Sequence, residues 1–435
     1  MGLLAKRLLT ALAATVLGLL LLELGARAVY RVYHARPFDR DEVSGRLLER
    51  PGVDTDPTEE EAAAAGKVTS QPTILHPYFG FVANPAWKGV NEYGFLGRAP
   101  FATRSPDTLL VGLFGGSVAD HMFRAADDVV EDALRESAPF RDKHVVLFDL
   151  AVAGYKQPQQ LLVLATLLAL GAQFDIVINL DGFNEIDAAK DNLQDGVNPV
   201  YPYMWKAYAG KLMDSATMVH MGTADVIRAR RETIRRWFAR WPVPQSAFLL
   251  TLWDFIDQHE EAALRTETSA LHAALAQSAT TPQQTGPAVR YSDDEGMYRE
   301  WVEVWARASL EMEILCAGYG IRYIHFLQPN QYLAGSKTLS AEERKTAYDP
   351  DVADTQRVAT AYPMLIERGR DLRTQGVDFV DLTMIFKDES RTVYRDTCCH
   401  LNGLGNRQLA TAIAAAIVQH AADTARNPDT SAASE

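Results

Sequence analysis

The feature that most constrains this chain is a series of short, continuously apolar segments that alternate with helical patterns. They are "TLLVGLF" (108–114), "HVVLFDL" (144–150), "FDIVINL" (174–180) and, much later, "IRYIHFL" (321–327) and "VDFVDL" (377–382). Strands that are apolar along their whole length are buried on both faces, and strands that alternate with helices pair in parallel. The sequence therefore predicts an α/β fold whose parallel sheet is covered by helices on both faces.

The middle of the chain departs from this alternation. Residues 190–320 show helical patterns, such as "ADVIRARRETIRRWFARW" and "MYREWVEVWARASLEMEILCAGYG". We interpret this stretch as a helical insertion in, or cap on, a domain that spans residues 76–421. Acidic residues, prolines and small residues fill residues 37–75, which predicts a partly disordered spacer. Residues 422–435 are polar and predict a flexible tail.

One helix of this insertion is rich in arginine, with six arginines in the neighbourhood of Trp237, Phe238 and Trp241. A basic amphipathic helix can lie on a membrane surface. A solvated arginine face whose aromatic side chains pack on the protein explains the same pattern. We favour the second interpretation from the sequence.

The N-terminus contains an uninterrupted apolar run, Leu8–Leu22, that ends at Glu23. The run is shorter than the ~20 residues that span a bilayer, but apolar residues on each side can extend it. A cleaved signal peptide is the alternative, because residues 26–28 read Ala-Arg-Ala, although the arginine makes a poor cleavage site. We therefore expect residues 1–36 to form an uncleaved, single-pass membrane anchor with its flank. The rest of the chain would then lie on the periplasmic or extracellular side.

Charge and cysteine content argue against several classes of protein. The formal net charge of -13 opposes nucleic acid as the partner of the main domain. Three cysteines provide neither a disulfide framework nor the spacing of a structural zinc site. Cys398 and Cys399 are adjacent, so they are either two small buried thiols, which we favour, or a vicinal disulfide.

Polar residues follow the predicted strands at the edge where open α/β sheets place their sites. Ser117 follows the first strand after a glycine pair, Gly154 follows the second and Asn184 follows the third. Asp396 and His400 lie just before the last predicted helix. Each motif alone is more common as a turn or a helix cap. Their order at successive strand ends favours a joint functional interpretation.

These residue types are sufficient for acyl transfer. His400 can take the proton of Ser117 as a general base, and Asp396 can orient the imidazole and stabilise its charged form. The developing oxyanion can accept hydrogen bonds from the backbone N–H groups of Ser117 and Gly154 and from the side-chain amide of Asn184. The sequence thus predicts a nucleophile, a base, an orienting acid and an oxyanion hole.

This arrangement resembles the SGNH (GDSL-type) hydrolase family, over roughly residues 76–420. The residues that match the four sequence blocks of that family are, in order, Ser117, Gly154, Asn184, and Asp396 with His400. The lead-in "HPYFGFVANP…NEYGF" resembles that of exported, membrane-anchored bacterial members. The resemblance implies a flavodoxin-like three-layer α/β/α sandwich. It also implies ester hydrolysis without a metal or organic cofactor.

The sequence departs from the family pattern at three places. Gly116 replaces the usual acidic residue before the serine, and Glu185 replaces the usual aspartate after the asparagine of the third block. The spacing from Asp396 to His400 is one residue longer than in the family, so the loop must absorb an extra residue. Asp381, at the end of a predicted strand, is an alternative orienting acid, and a Ser–His dyad is a third arrangement.

Together these features predict a membrane-tethered serine esterase that acts on an O-acyl ester. Tethering and the resemblance favour an O-acetylated polysaccharide of the cell envelope or the extracellular space, with an acylated small molecule as another substrate class. An O-acyltransferase that uses the same residues is the first alternative. A non-catalytic glycan-binding or assembly protein with the same fold is the second. The sequence leaves the oligomeric state open.

Overall fold

The computed structural model divides the chain into two compact units. The helical unit comprises Met1–Asp54 and Met213–Ala279, and the sheet unit comprises Thr55–Leu212 and Thr280–Glu435. The residues that the structure describes are 3–48, 73–208, 215–240, 242–277 and 282–426. Most of the predicted spacer, Trp241 and the end of the predicted tail lie outside these residues.

The described helices and strands are numbered along the chain. The helices are α1 Leu3–His34, α2 Arg40–Leu48, α3 Ser117–Glu136, α4 Gln159–Ala169, α5 Phe183–Gln194, α6 Trp205–Tyr208, α7 Ser215–Phe238, α8 Ala247–Gln277, α9 Pro282–Thr285, α10 Asp294–Gly318, α11 Glu343–Thr346, α12 Ala353–Thr374 and α13 Gly403–Arg426. The strands are β1 Thr73–His76, β2 Gly80–Ala83, β3 Thr108–Gly115, β4 His144–Asp149, β5 Ile176–Asp181, β6 Arg322–Leu327 and β7 Asp378–Asp381.

The sheet unit is built on a five-stranded parallel sheet in the order β4-β3-β5-β6-β7, and β1 and β2 form a separate antiparallel hairpin. Leu113 of β3 pairs with Asp149 of β4 and with Ile178 of β5. The carboxyl end of β3 therefore lies between two neighbouring strands. The predicted α/β class, with a parallel sheet flanked by helices, is confirmed, and every predicted strand is present within two residues of its expected bounds.

Helix α3, which follows β3, is held on the sheet by an apolar stripe. Its buried residues Val118, Met122, Ala126, Val130 and Leu134 recur every fourth position, so they share one face of the helix. This helix packs against β3, β4, β5 and α13. Burial of each larger apolar side chain contributes about 1.5–3 kcal/mol. The start of α3 is consequently fixed relative to the strand ends.

A fully buried polar network joins β5, β6 and α10. Asp181 accepts hydrogen bonds from Trp305 Nε1 at 2.7 Å and from Asn179 Nδ2 at 2.6 Å. His325 Nε2 lies 2.8 Å from Asp181 Oδ1, and His325 Nδ1 lies 2.7 Å from Ser309 Oγ. Because all these groups are withdrawn from water, each depends on its protein partner.

The helical unit combines α1 and α2 with the antiparallel pair α7 and α8. Its buried core residues are Tyr30, Val43, Leu47, Phe238, Val243, Leu250 and Trp253. Arginines of α7 form ion pairs with acids of α8, including Arg230 with Glu260 at 2.6 Å and Arg231 with Asp257 at 2.6 Å. Much of the arginine-rich face is therefore paired within the unit.

The expected N-terminal apolar helix is present as α1. Within the described part of the chain, its segment Ala13–His34 is the one helical stretch that is long and apolar enough to cross a membrane. By length and composition, this segment is a candidate anchor.

We predict that Asp181→Ala destabilises the sheet unit strongly. The substitution leaves three buried donors, on Asn179, Trp305 and His325, without their acceptor, which costs about 3–5 kcal/mol. Ser309→Ala is the matched control, because it removes one hydroxyl at the edge of the same network and costs about 1 kcal/mol. Urea-induced unfolding of the full chain in detergent, followed by near-ultraviolet circular dichroism, measures both. Equal unfolding midpoints for the two variants would contradict the central role of Asp181.

Candidate active site

The turn between β3 and α3 depends on two glycines. Gly115 has a φ of +154°, and a Cβ there would lie 2.2 Å from the carbonyl oxygen of Leu180 on the neighbouring strand. A Cβ on Gly116 would lie 2.3 Å from Nδ2 of Asn184. Real Cβ atoms do not approach other atoms this closely, so Gly115 requires glycine, and a Cβ on Gly116 would push the amide of Asn184 aside. The two glycines therefore allow β5 and the side chain of Asn184 to approach the turn that precedes Ser117.

The structure places the side chains of Ser117, His400 and Asp396 in one line of contacts, with His400 in the middle. His400 Nε2 lies 2.8 Å from Ser117 Oγ, and His400 Nδ1 lies 2.8 Å from Asp396 Oδ2. With Nδ1 protonated and donating to the carboxylate, Nε2 is free to accept the serine hydroxyl proton. The His400 side chain is 16% exposed, so the imidazole is largely shielded from water.

The longer spacing between Asp396 and His400 does not separate them. Asp396 Oδ1 accepts the backbone N–H groups of Cys398 at 3.0 Å and of His400 at 3.2 Å, which folds the loop around the carboxylate. Cys399 absorbs the extra residue in a left-handed conformation with φ +86°. Asp381, the alternative acid, instead accepts the backbone N–H of Thr383 at 2.9 Å.

The pair Asp396–His400 is electrostatically matched. Burial opposes ionisation of Asp396, but the charge of His400, its ring hydrogen bond and the charge of Arg395 hold the pKa of this carboxyl well below its usual value. Burial lowers the pKa of His400, yet Asp396 outweighs it, and the resulting pKa lies above that of a free histidine. Asp396 is therefore ionised wherever His400 titrates.

Asn184 lies beside the serine turn, and the turn that contains Gly154 is joined to it through Tyr155. Asn184 Nδ2 gives one of its hydrogens to the carbonyl oxygen of Tyr155 at 2.8 Å, which leaves its second amide hydrogen available. Gly154 has a φ of +85° in a turn that is closed by the bond from Tyr155 N to Val152 O at 3.0 Å. In the described ranges, the backbone N–H groups of Ser117 and Gly154 donate to no other backbone group.

Glu185 ties the loops of Gly154 and Asn184 to each other. Its two carboxyl oxygens accept the backbone N–H groups of Gln157 at 3.0 Å and of Gly182 at 2.9 Å. Burial, aided by the charge of Asp181, raises the pKa of Glu185 to about 8. This departure from the family pattern therefore lies beside the site as a structural link and does not face Ser117.

His121, which the sequence favours as a helix-surface residue, is instead a neighbour of the candidate site. Its ring lies edge-on to that of His400, with 4.7 Å between centroids, and its buried Nδ1 has no hydrogen-bond partner among the residues that the structure describes. Burial, with the charge of His400, holds the pKa of His121 well below its usual value. The signal in the sequence is its position four residues after Ser117, which places both on one face of α3.

The residues that the structure describes include all three cysteines of the chain. Cys398 and Cys399 are free thiols, the first exposed and the second buried. Among those residues, no group of three or more histidine, cysteine or acidic side chains is arranged to hold a metal ion.

We predict that Asp396→Asn lowers the pKa of His400, because the substitution removes the charge that raises it and leaves the effect of burial. A two-dimensional ¹H–¹⁵N NMR titration of the imidazole measures this pKa in the full chain. Asp378→Asn is the matched control, since Asp378 lies 3.6 Å from His420 on a different part of the sheet unit. An unchanged pKa of His400 in Asp396→Asn would show that the carboxylate does not act on this ring.

No protein-family model matches the sequence, and no curated protein is significantly similar to it.

Proposed function

We propose that this protein is a serine esterase of the SGNH type that cleaves an O-acyl ester through an acyl-enzyme. The observation that supports this most directly is the contact of Ser117 Oγ with His400 Nε2, while Asp396 faces the other nitrogen of the same ring. The amide of Asn184 beside the serine turn adds the means to stabilise negative charge.

The reaction follows from these positions. Ser117 Oγ attacks the ester carbonyl carbon while His400 Nε2 takes the hydroxyl proton. The tetrahedral oxyanion accepts hydrogen bonds from the N–H groups of Ser117 and Gly154 and from Asn184. Its collapse breaks the bond to the alcohol, which leaves with the proton from His400. Water then attacks the carbonyl carbon of the acyl-enzyme while His400 takes its proton. The bond to Ser117 Oγ breaks, Ser117 regains a proton from His400, and the acid is released.

The strand order supports the finer fold assignment. With β3 counted as the first strand of the parallel sheet, the order becomes 2-1-3-4-5, which is that of flavodoxin-like sheets. We therefore propose the three-layer α/β/α arrangement. Ligands of such sheets bind beyond the carboxyl ends of the strands, and Ser117 follows such an end.

Substrate class and location follow from the anchor. A membrane-tethered esterase meets acylated polymers of the cell envelope, so we propose an O-acetylated polysaccharide as the substrate and the periplasmic or extracellular side as its location. The same residues would serve an O-acyltransferase if a sugar hydroxyl replaced water at the acyl-enzyme. Acetate released into water, rather than transferred to an added glycan, distinguishes the esterase from the transferase.

We predict that a fluorophosphonate probe labels Ser117 and that Ser117→Ala abolishes the labelling. Ser309→Ala is the matched control, because Ser309 also contacts a histidine that contacts an aspartate, yet it is fully buried. This control should label like the unmodified chain. If the probe does not label the unmodified chain, or if it still labels Ser117→Ala, the esterase proposal is wrong and a non-catalytic glycan-binding or assembly protein is favoured.

We predict that Asn184→Ala lowers kcat for p-nitrophenyl acetate by about 10²–10³, the usual effect of losing one oxyanion donor. The effect should fall on kcat more than on KM, because the bond strengthens in the transition state. Gly116→Ala should act in the same direction, since its Cβ would displace the amide of Asn184. Asn198→Ala is the control, because its half-buried side chain bonds to the carbonyl oxygen of Pro287 and to the backbone N–H of Val200 rather than to the serine turn. Equal kcat in Asn184→Ala and Asn198→Ala would remove Asn184 from the oxyanion hole.

A further inference from the structure

Helix α1 changes character at Glu23. Side chains 13–22 are all exposed, and most of them are large and apolar. Beyond Glu23, Ala26 and Tyr30 are buried and His34 is half-buried, so every fourth residue faces the protein. Residues 13–22 of the helix are therefore not covered by the protein, and the part beyond Glu23 packs within the helical unit.

Glu23 caps the N-terminus of α8. Its carboxylate accepts the backbone N–H of Ala247 at 2.7 Å and of Phe248 at 3.4 Å, and the hydroxyl of Ser246 donates to it as well. The N-terminus of a helix presents unpaired N–H groups and a partial positive charge, both of which suit a carboxylate. The cap fixes the start of α8 at the height of Glu23 along α1.

The rest of α1 runs beside α8. The ring of Tyr33 lies 4.4 Å from that of Phe255, and His34 Nε2 lies 2.7 Å from Asp254 Oδ2. The part of α1 before Glu23, which contains the apolar run Leu8–Leu22, therefore remains for the bilayer, with Lys6 and Arg7 at its far end. The bilayer boundary then falls at Glu23, next to the connection between α7 and α8.

Apolar and basic side chains are exposed near the start of α8, level with Glu23 of α1. Phe248 and Leu252 are one turn apart on α8, with 38% and 41% of their surface exposed. Trp237 is 55% exposed, and Arg240 is exposed beside it. The ion pairs between α7 and α8 place Trp237 about opposite the first turns of α8. Tryptophan and arginine favour the interface between lipid tails and headgroups, and the headgroup layer adds about 5–7 Å on each side of the core.

We propose that the α7–α8 tip, formed by Trp237, Arg240, Phe248 and Leu252, lies in the headgroup layer of a lipid bilayer as a second membrane contact. A bilayer surrounds a spanning helix on all sides, so exposed side chains fixed at the boundary height meet lipid. Arg240 favours anionic headgroups there. This contact goes beyond the proposed function and does not depend on it, because it involves the helical unit alone.

Site-directed spin labelling of the full chain in nanodiscs tests the contact. The nanodiscs contain phosphatidylcholine and phosphatidylglycerol, and Cys398→Ser removes the exposed native thiol. Labels are placed by Trp237→Cys and Phe248→Cys. Matched controls are Met218→Cys and Val226→Cys, which are exposed apolar residues of α7 at greater distance from the tip. Power saturation compares access of oxygen, which concentrates in lipid, with access of a water-soluble nickel chelate.

The expected result is a severalfold higher ratio of oxygen to nickel access at both tip positions than at both controls. Nickel access at either tip position equal to that at the controls would place the tip in water and overturn the proposal. Exclusion of both probes from the tip would show that protein, such as a second copy of the chain, covers it, and would also overturn the proposal. Far-ultraviolet circular dichroism of each labelled variant verifies that the helices are intact.

Discussion

The close approach of β5 to the serine turn is the constraint on which the candidate site depends. Gly115 lets the carbonyl oxygen of Leu180 come within a distance that any side chain would block, and Gly116 does the same for the amide of Asn184. Because the apolar stripe of α3 holds Ser117 against the sheet, this approach sets where Ser117 and the amide of Asn184 meet. Gly116 stands where the SGNH-type pattern has an acidic residue before the serine, and it is this glycine that makes room for Asn184.

Two Ser–His–Asp arrangements in one unit show what contact geometry does and does not imply. The buried set on β5, β6 and α10 has distances of 2.7 and 2.8 Å, close to those of the candidate site. Its aspartate is also saturated by Trp305 and Asn179, and no substrate can reach its serine. The set at Ser117 differs by partial exposure, by its place at a strand end and by adjacent donors. These differences, rather than the distances, favour chemistry at Ser117.

The helical unit shows how an acidic residue within an apolar helix finds a partner. In the sequence, Glu23 only marks the end of an apolar run. In the structure its carboxylate satisfies N–H groups at the start of α8, so one residue both ends the bare part of α1 and orients the α7–α8 pair. Likewise, most of the arginines that suggested a membrane-binding face are neutralised by acids of their own unit, and the exposed tip is what remains for lipid.

The sequence by itself determined the strands, because short, continuously apolar segments that alternate with helical patterns fit a parallel sheet that is covered on both faces. It also determined Ser117, Gly154 and Asn184 as candidates, since parallel strands bring their carboxyl ends to one edge. Only the tertiary structure decided between Asp396 and Asp381, because that choice depends on how a loop folds around one carboxylate. The contacts of His121 with His400 and of Glu23 with α8 were likewise decided there. Periodicity and spacing can be read from the sequence. Which side chains come into contact across more than two hundred residues depends on the folded chain.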